Sequence, residues 1–479
     1  MVLRLPIASL VQVGGKHERF LSLVPSFQRK GVRNMTQGTD AVFSFNPFSS
    51  VSQHDPKRLA FFRQAEPLIP LYPRQGDRPG IYMAMDLELI DAVLRGEAFV
   101  VSPSDERLRR VRQLQLPRLG LYMSTLPFLL EVEPHEKAHH LYYTVSRESF
   151  SRTALQLIDG CLAEEVRRFK QACIAQTVDD HGVFDGPEVD LARMFNLWMT
   201  RISLKLVGIP TCYAADMMRS IRQVIAPLEH FFYTTAERTD MMRSIRQVVA
   251  TADATAADEV YFQGEIAANH LFTICDSYLE TEEMKHGVCA SFLQMYAQGE
   301  MDRETLLATI VGFLSVAAEN PPGSVVALVK GLTRYPEQLQ LLRENPSLLN
   351  KAADEAFRWF TNVGFISREV RTPCTLGLTQ LAPGDLVACI VEAVHQNPTL
   401  HPQPENFIIE RKQRQIRVFG GGHWACTGQR LARELVARAG KQLLLDERPV
   451  FTFSPDEEYG SNSFFRAPLH LYAKCVFPT

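Results

Sequence analysis

Cys426 lies in a glycine-rich turn that opens a helix, and few arrangements of residue types are as suggestive of chemistry. The run is Phe419-Gly420-Gly421-Gly422-His423-Trp424-Ala425-Cys426-Thr427-Gly428, followed directly by Gln429-Arg430-Leu431-Ala432-Arg433. Glycines let backbone N–H groups approach a side chain closely, and a helix N-terminus favours an anion. Both effects hold down the charge of a thiolate, as a sulfur ligand to iron requires. From Leu431 the apolar residues recur at Leu435, Val436, Ala439 and Leu443, the spacing of a helix packed under a flat cofactor. The alternative is a buried cysteine with no chemistry.

The loop resembles the cysteine-loop signature of the cytochrome P450 family, F-x-x-G-x-H-x-C-x-G, at Phe419, Gly422, Cys426 and Gly428. The resemblance implies haem b (iron protoporphyrin IX) with Cys426 as its thiolate ligand and sole metal contact, in a loop that includes Gly420. One position departs: Trp424 stands where the signature has a basic residue, and His423 sits one place early. Asp354-Glu355-Ala356-Phe357-Arg358 puts Glu355 and Arg358 on one helical face. In the family such a pair is buried and completed by a downstream arginine, here Arg411 after Pro404-Glu405-Asn406-Phe407. The implied role is folding and haem retention.

The stretch Leu314-Ser315-Val316-Ala317-Ala318-Glu319-Asn320-Pro321-Pro322-Gly323-Ser324 corresponds to the family's long central helix across the distal haem face. There the family carries a small pair, a variable residue, an acid and a threonine, the last two delivering protons to bound dioxygen. Here Ala317 and Ala318 form the small pair, Asn320 replaces the acid and Pro321 the threonine. Proline donates no N–H and frees the carbonyls one turn back, at Ala317 and Ala318, so a kink is expected. Asn320 can donate or accept but supplies no titrating proton. Glu319, one position early, would serve if the kink turned it inward. Asn320 and Glu319 are therefore the catalytic candidates, and the altered motif leaves peroxide use, or rearrangement of an oxygenated substrate, as alternatives to dioxygen activation.

Haem propionates need cationic or hydrogen-bonding partners. Arg368 in Ser367-Arg368-Glu369-Val370 matches a family propionate contact. Trp424 could offer its indole N–H, or His423 could reach round. Alignment on Phe150 places His139 and Tyr143 at further propionate positions, whereas alignment on Val145 places Ala138 and Tyr142 there. Lys412, Arg414, Arg417, Arg430, Arg433 and Lys441 cluster in sequence around Cys426, which suits an acidic ferredoxin or flavodoxin, with its reductase, steered by charge.

The elements that must position these residues fit a large enzyme. The chain has 479 residues and a formal net charge of -3, which argues against a nucleic-acid footprint. Its nine cysteines are odd in number and lack C-x-x-C spacing, which suits a reducing cytoplasm. No apolar run reaches the roughly 18 residues of a membrane span, so no membrane anchor is expected. Residues 1–34 read as an extension or misassigned start, with Met35 an alternative initiator, and 35–479 as a single, monomeric catalytic domain.

Strand signals at Gly80 to Met85, helical periodicity to about residue 360 and strands after Arg368 predict a mostly α fold with a small β region, as the family implies. Pro383-Gly384-Asp385 reads as a turn between strands at Thr375 to Leu378 and Leu386 to Val391. Asp216 to Val224 recurs identically at Asp240 to Val248, an offset of 24 residues, in the region that roofs the family's substrate pocket. Leu121 to Leu130, Phe313 to Ala318 and Asn362-Val363-Gly364-Phe365-Ile366 complete that pocket, mostly apolar. The reading is a monooxygenase of specialised metabolism acting on a small apolar molecule. The alternatives are a peroxide-using, isomerising or dehydrating haem-thiolate enzyme, and a P450-like binding module without catalysis.

Overall fold

Asp302 caps the longest helix of the chain, its Oδ1 accepting the N–H of Thr305 at 2.8 Å, and that helix, Arg303–Arg334, runs through the main hydrophobic core. This computed structural model describes residues 66–76, 79–100, 106–125, 152–175, 188–237, 254–412, 416–459 and 468–478, all within one compact unit. The expected extension, residues 1–34, lies outside them, as does the second copy of the duplicated segment.

In chain order the principal elements are β1 (Leu68–Tyr72), β2 (Ile81–Ala84), α1 (Leu87–Arg95), β3 (Phe99–Val100), α2 (Glu106–Gln113), α3 (Pro117–Thr125), α4 (Arg152–Ala175) and β4 (Glu188–Asp190). There follow α5 (Leu191–Val207), α6 (Ala214–Glu237), α7 (Ala254–Tyr278), α8 (Ala290–Ala297), α9 (Arg303–Arg334), α10 (Pro336–Glu344) and α11 (Leu349–Trp359). The chain closes with β5 (Phe365–Val370), β6 (Cys374–Leu376), β7 (Thr379–Leu381), β8 (Leu386–Ile390), α12 (Val391–His395), α13 (Gln429–Gly440), β9 (Val450–Tyr459) and β10 (Pro468–Val476).

One sheet has the order β1-β2-β8-β5-β3, in which only β2 and β8 pair in parallel. A second joins β4 and β9 to β10, and β6 and β7 form a hairpin. The sheet is held where its chain turns. Asp385 accepts the N–H groups of Gly80 at 2.6 Å and Ala382 at 2.8 Å, and pairs with Arg74 at 3.0 Å. The expected strand from Thr375 to Leu378 is instead split, because Gly377 takes φ +60°, the left-handed region glycine favours, and turns β6 back into β7. The turn at Pro383 to Asp385 therefore joins β7, not β6, to β8.

Helix α9 packs against α5, α11, α13 and α3, so the expected central helix is central in fact. It continues through Pro321 and Pro322, both buried. The first copy of the duplicated segment lies in α6, where Met217, Ile221 and Val224 form a buried stripe and Asp216 pairs with Arg219 on the outer side. No described helix is long and apolar enough to cross a membrane, and none of the nine cysteines, all of them described, is in a disulfide.

Candidate active site

The cysteine loop is built from two left-handed glycines, Gly420 at φ +69° and Gly422 at φ +66°. A Cβ on Gly422 would sit 2.5 Å from Leu94 O of α1, so the glycine is also required by close approach. Gly420 N donates to Arg417 O at 2.9 Å, and Cys426 N donates to Phe419 O at 2.8 Å, closing the turn. The N–H groups of Gly428 and Gln429, at the start of α13, point at the Cys426 sulfur and favour its thiolate. Burial outweighs them and pushes the thiol up. Cys426 is nonetheless exposed by surface area, so the residue keeps an uncovered face although protein atoms crowd around its sulfur. A cation facing that sulfur would bring the thiol down into its ionised form.

Phe419 braces the loop rather than capping it. Its ring meets Phe357 edge-on at 4.9 Å, and the Arg433 guanidinium lies 5.0 Å from its centre. Trp424 is half-buried. The side chain of His423, together with His139 and Tyr143, lies outside the described residues.

Arg368 on β5 is 5% exposed. Its Nη1 donates to Ser367 O at 2.8 Å while Nε is buried without a partner, and no carboxylate pairs with it among the described residues. Burial pulls its guanidinium down from the usual arginine range. A buried cation without a counter-ion is costly, and an anion placed against it would relieve that cost.

The Glu355 carboxylate is fully buried and saturated. Its Oε1 accepts from Arg358 Nη2 at 2.7 Å, Arg411 Nε at 2.8 Å and Ile408 N at 2.9 Å, and its Oε2 from Arg358 Nε at 2.9 Å. Arg358 Nη1 also donates to Pro404 O at 2.8 Å and His395 O at 3.1 Å, and Nη2 to Asn406 O at 3.0 Å. The expected trio of Glu355, Arg358 and Arg411 thus forms one network tying α11 to the segment before the cysteine loop.

On α9 the Ala317 and Ala318 carbonyls lack their usual backbone donors, because Pro321 and Pro322 have no N–H. Asn320 Nδ2 folds back onto Val316 O at 3.2 Å, and Asn362 Nδ2 donates to Asn320 O at 3.1 Å. The Oδ1 atoms of Asn320 and Asn362 and the Ser324 hydroxyl are buried without partners. Glu319 lies on the adjoining face of the helix. Burial raises its carboxyl, with Arg222 of α6 opposing, and its charge is felt by the buried Tyr122 of α3, which lies close to Ser315. Sequence reasoning held Tyr122 and Arg222 only within the pocket stretches Leu121 to Leu130 and Asp216 to Val224 and missed their approach to Glu319; the Ser315/Glu319 spacing of one helical turn was the only local sign.

The expected basic face is largely neutralised. Arg417 makes a two-pronged pair with Asp91 of α1 at 2.7 and 2.8 Å, Arg433 pairs with Asp354 at 2.6 Å and Lys441 with Asp446 at 2.8 Å. Lys412 and Arg430 remain exposed, and Arg414 lies outside the described residues. Of the expected pocket, Leu121, Phe313, Val363 and Ile366 are half-buried and apolar, while 126–130 are not described.

Comparison with known proteins agrees with this geometry. The family model described as cytochrome P450 matches residues 146–437. The C-19 steroid 1alpha-hydroxylase of Sorangium cellulosum is 33% identical over 159 residues, covering 33% of this chain and 39% of the relative. Cytochrome P450-SU2 of Streptomyces griseolus is 31% identical over 187 residues, covering 39% of this chain and 45% of the relative. The matched stretches thus span about two fifths to half of these curated relatives. Among solved structures, epothilone B-bound cytochrome P450epoK superposes with a TM-score of 0.71 at 19% identity, covering 91% of this chain and all of that one. CalO2 gives 0.70 at 21% identity, covering 90% of this chain and 98% of that one, a likeness of fold. With the loop, the trio and the central helix in the order that this fold carries them, the chain belongs to the cytochrome P450 family.

Proposed function

We propose that this chain, as one catalytic domain over 35–479, is a haem-thiolate monooxygenase that oxidises a small, largely apolar metabolite. The observation that carries the reading is the cysteine loop, in which left-handed Gly420 and Gly422 lead to Cys426 and the amides of Gly428 and Gln429 point at its sulfur. Haem b fits the residues present: Cys426 is the axial donor, and the unpaired, buried Arg368 suits a propionate. When bound, haem supplies the oxygen chemistry and its electron transfer.

The protein's own part is positioning, dryness and protons. The loop amides favour charge on Cys426, which a metal cation facing the sulfur would complete. Leu121, Phe313, Val363 and Ile366 offer the substrate apolar surface, in keeping with relatives named as hydroxylases of a C-19 steroid and of mycinamicin VIII. Asn320 orients donors and acceptors beside the freed carbonyls without supplying a proton. Glu319, its carboxyl raised by burial, is the titrating group beside this motif among the described residues, with Tyr122 and Ser315 near it. Electrons would come from a ferredoxin or flavodoxin and its reductase, with the protein acting as a cytoplasmic monomer.

The replacement of acid and threonine by Asn320 and Pro321 favours a second reading, in which a peroxide or an already oxygenated substrate is used. The reduced, carbon monoxide-treated protein tests the common ground. A red-shifted Soret band of thiolate type supports the assignment, and its absence in folded, haem-supplied protein refutes it. Turnover with surrogate ferredoxin and reductase, set against turnover with hydrogen peroxide, then separates the two readings.

A further inference from the structure

His395 ends α12 fully buried, and neither the thiolate nor the central helix accounts for it. Its Nε2 lies 3.1 Å from the backbone nitrogen of Arg417. An amide N–H can only donate, so Nε2 is the unprotonated nitrogen. Nδ1 therefore carries the proton and donates to Thr361 Oγ1 at 2.8 Å. Thr361 Oγ1 donates in turn to Arg358 O at 3.3 Å, and the His395 carbonyl accepts from Arg358 Nη1 at 3.1 Å. The one partner whose direction cannot reverse fixes the tautomer of the ring.

The Arg417 peptide is the gate to the cysteine loop. Its N–H is held by His395, its carbonyl receives Gly420 N at 2.9 Å, and its side chain is gripped by Asp91. Two residues on, Phe419 O receives Cys426 N at 2.8 Å. Hydrogen bonds joined through the covalent chain thus lead from the guanidinium of Arg358 through His395 to the turn that carries Cys426. We propose that His395 is a positioning residue for the thiolate, its neutral Nδ1–H form being the link that seats the Cys426 loop on the Glu355–Arg358–Arg411 core.

This rests on the haem-thiolate reading, and the chemistry explains why a histidine suits the place. The ring presents one acceptor and one donor on opposite edges at fixed separation. An imidazolium would turn Nε2–H against the Arg417 N–H, donor to donor. Arg358, Arg417 and His401, whose ring stands edge-on at 6.4 Å, each oppose a positive charge on the ring. None of them offers the ring a carboxylate, so the surroundings favour the neutral form.

The test compares haem-loaded wild type with His395→Phe, which keeps a flat ring without polar atoms, and His395→Gln, whose amide oxygen can reach the Arg417 N–H. Hydrogen exchange across residues 416–428 and the Soret band of the reduced carbon monoxide complex are read together. For His395→Phe, exchange at these amides should rise roughly tenfold, the effect of one hydrogen bond of ordinary net strength, with part of the thiolate band lost. His395→Gln should recover most of both. Exchange and spectrum unchanged in His395→Phe would overturn the proposal. If His395→Phe fails to fold, Thr361→Val removes only the Nδ1 partner, and unchanged exchange there would overturn it equally. A wild type without the thiolate band refutes the haem reading, while the exchange comparison still decides whether His395 seats the loop.

Discussion

Replacing Glu355 by glutamine exchanges one oxygen for an NH2 group and should cost this fold a large part of its stability. The carboxylate accepts from Arg358 Nη2 and Nε, Arg411 Nε and Ile408 N, at 2.7 to 2.9 Å. Charge-assisted bonds are worth about 1.5–3 kcal/mol each, so a plain sum would give roughly 6–12 kcal/mol, a ceiling because solvation of the unfolded chain offsets much of it. In the variant an amide oxygen can keep the bonds to Oε1, but the new NH2 at Oε2 meets Arg358 Nε donor to donor. Arg358, with its side chain fully buried, is left without a counter-charge. Breaking a buried pair in this way costs about 3–5 kcal/mol, set against a total of about 5–15 kcal/mol for ordinary domains. Urea unfolding followed by far-ultraviolet circular dichroism and by the Soret band measures it, with an unchanged slope expected. A loss below about 1 kcal/mol, with haem retained, would refute the reasoning that the trio acts as one buried ionic unit.

Other perturbations address the site itself. Glu319→Gln removes the carboxyl proton and should lower dioxygen-driven turnover about a hundredfold, the low end for a general acid, while sparing peroxide-driven turnover; equal losses in both would count against a proton role. The double change Asn320→Asp, Pro321→Thr should raise the fraction of electrons ending in product, read as product per reduced nicotinamide consumed, and no change would undercut the account of the motif. Arg368→Gln removes the buried cation and should speed haem transfer to apomyoglobin about tenfold, as expected for one charge-assisted bond of ~1.5 kcal/mol. Because His395 is held well below its usual value by burial, the unfolded chain binds a proton first as pH falls below about 6.5. Stability is therefore complete above that pH and falls below it by up to about 1.4 kcal/mol per unit. In His395→Gln this slope should flatten, as measured by urea midpoints between pH 7 and 5.

What could be read from the sequence was short-range. Cys426 and its glycines announce themselves within ten residues, since φ and close approach are local demands that glycine alone meets. Glu355 and Arg358 share a helical face by spacing, and Arg411 follows in the order the fold carries it. Long-range pairing left no such trace. Asp91 and Arg417 meet across 326 residues and Asp354 and Arg433 across 79, which turned much of an expected basic surface into ion pairs. Arg222 and Tyr122 converge near Glu319 only because α6 and α3 pack on α9. The hairpin of β6 and β7 was misread because Gly377 looks like any other glycine inside an apolar run.

The seam between α1 and the cysteine loop has a consequence for the life of the chain. Leu94 O lies under Gly422, and Asp91 grips Arg417 across 326 residues of sequence. At synthesis rates of about 5–20 residues per second, Asp91 leaves the ribosome roughly 16–65 seconds before its partner exists. The floor on which the loop rests is therefore made early and waits. The seat of the cysteine loop is complete only once Arg417 has been made, so a haem held there would be taken up after that point, and a ribosome stalled before Arg417 would release a chain unable to hold it.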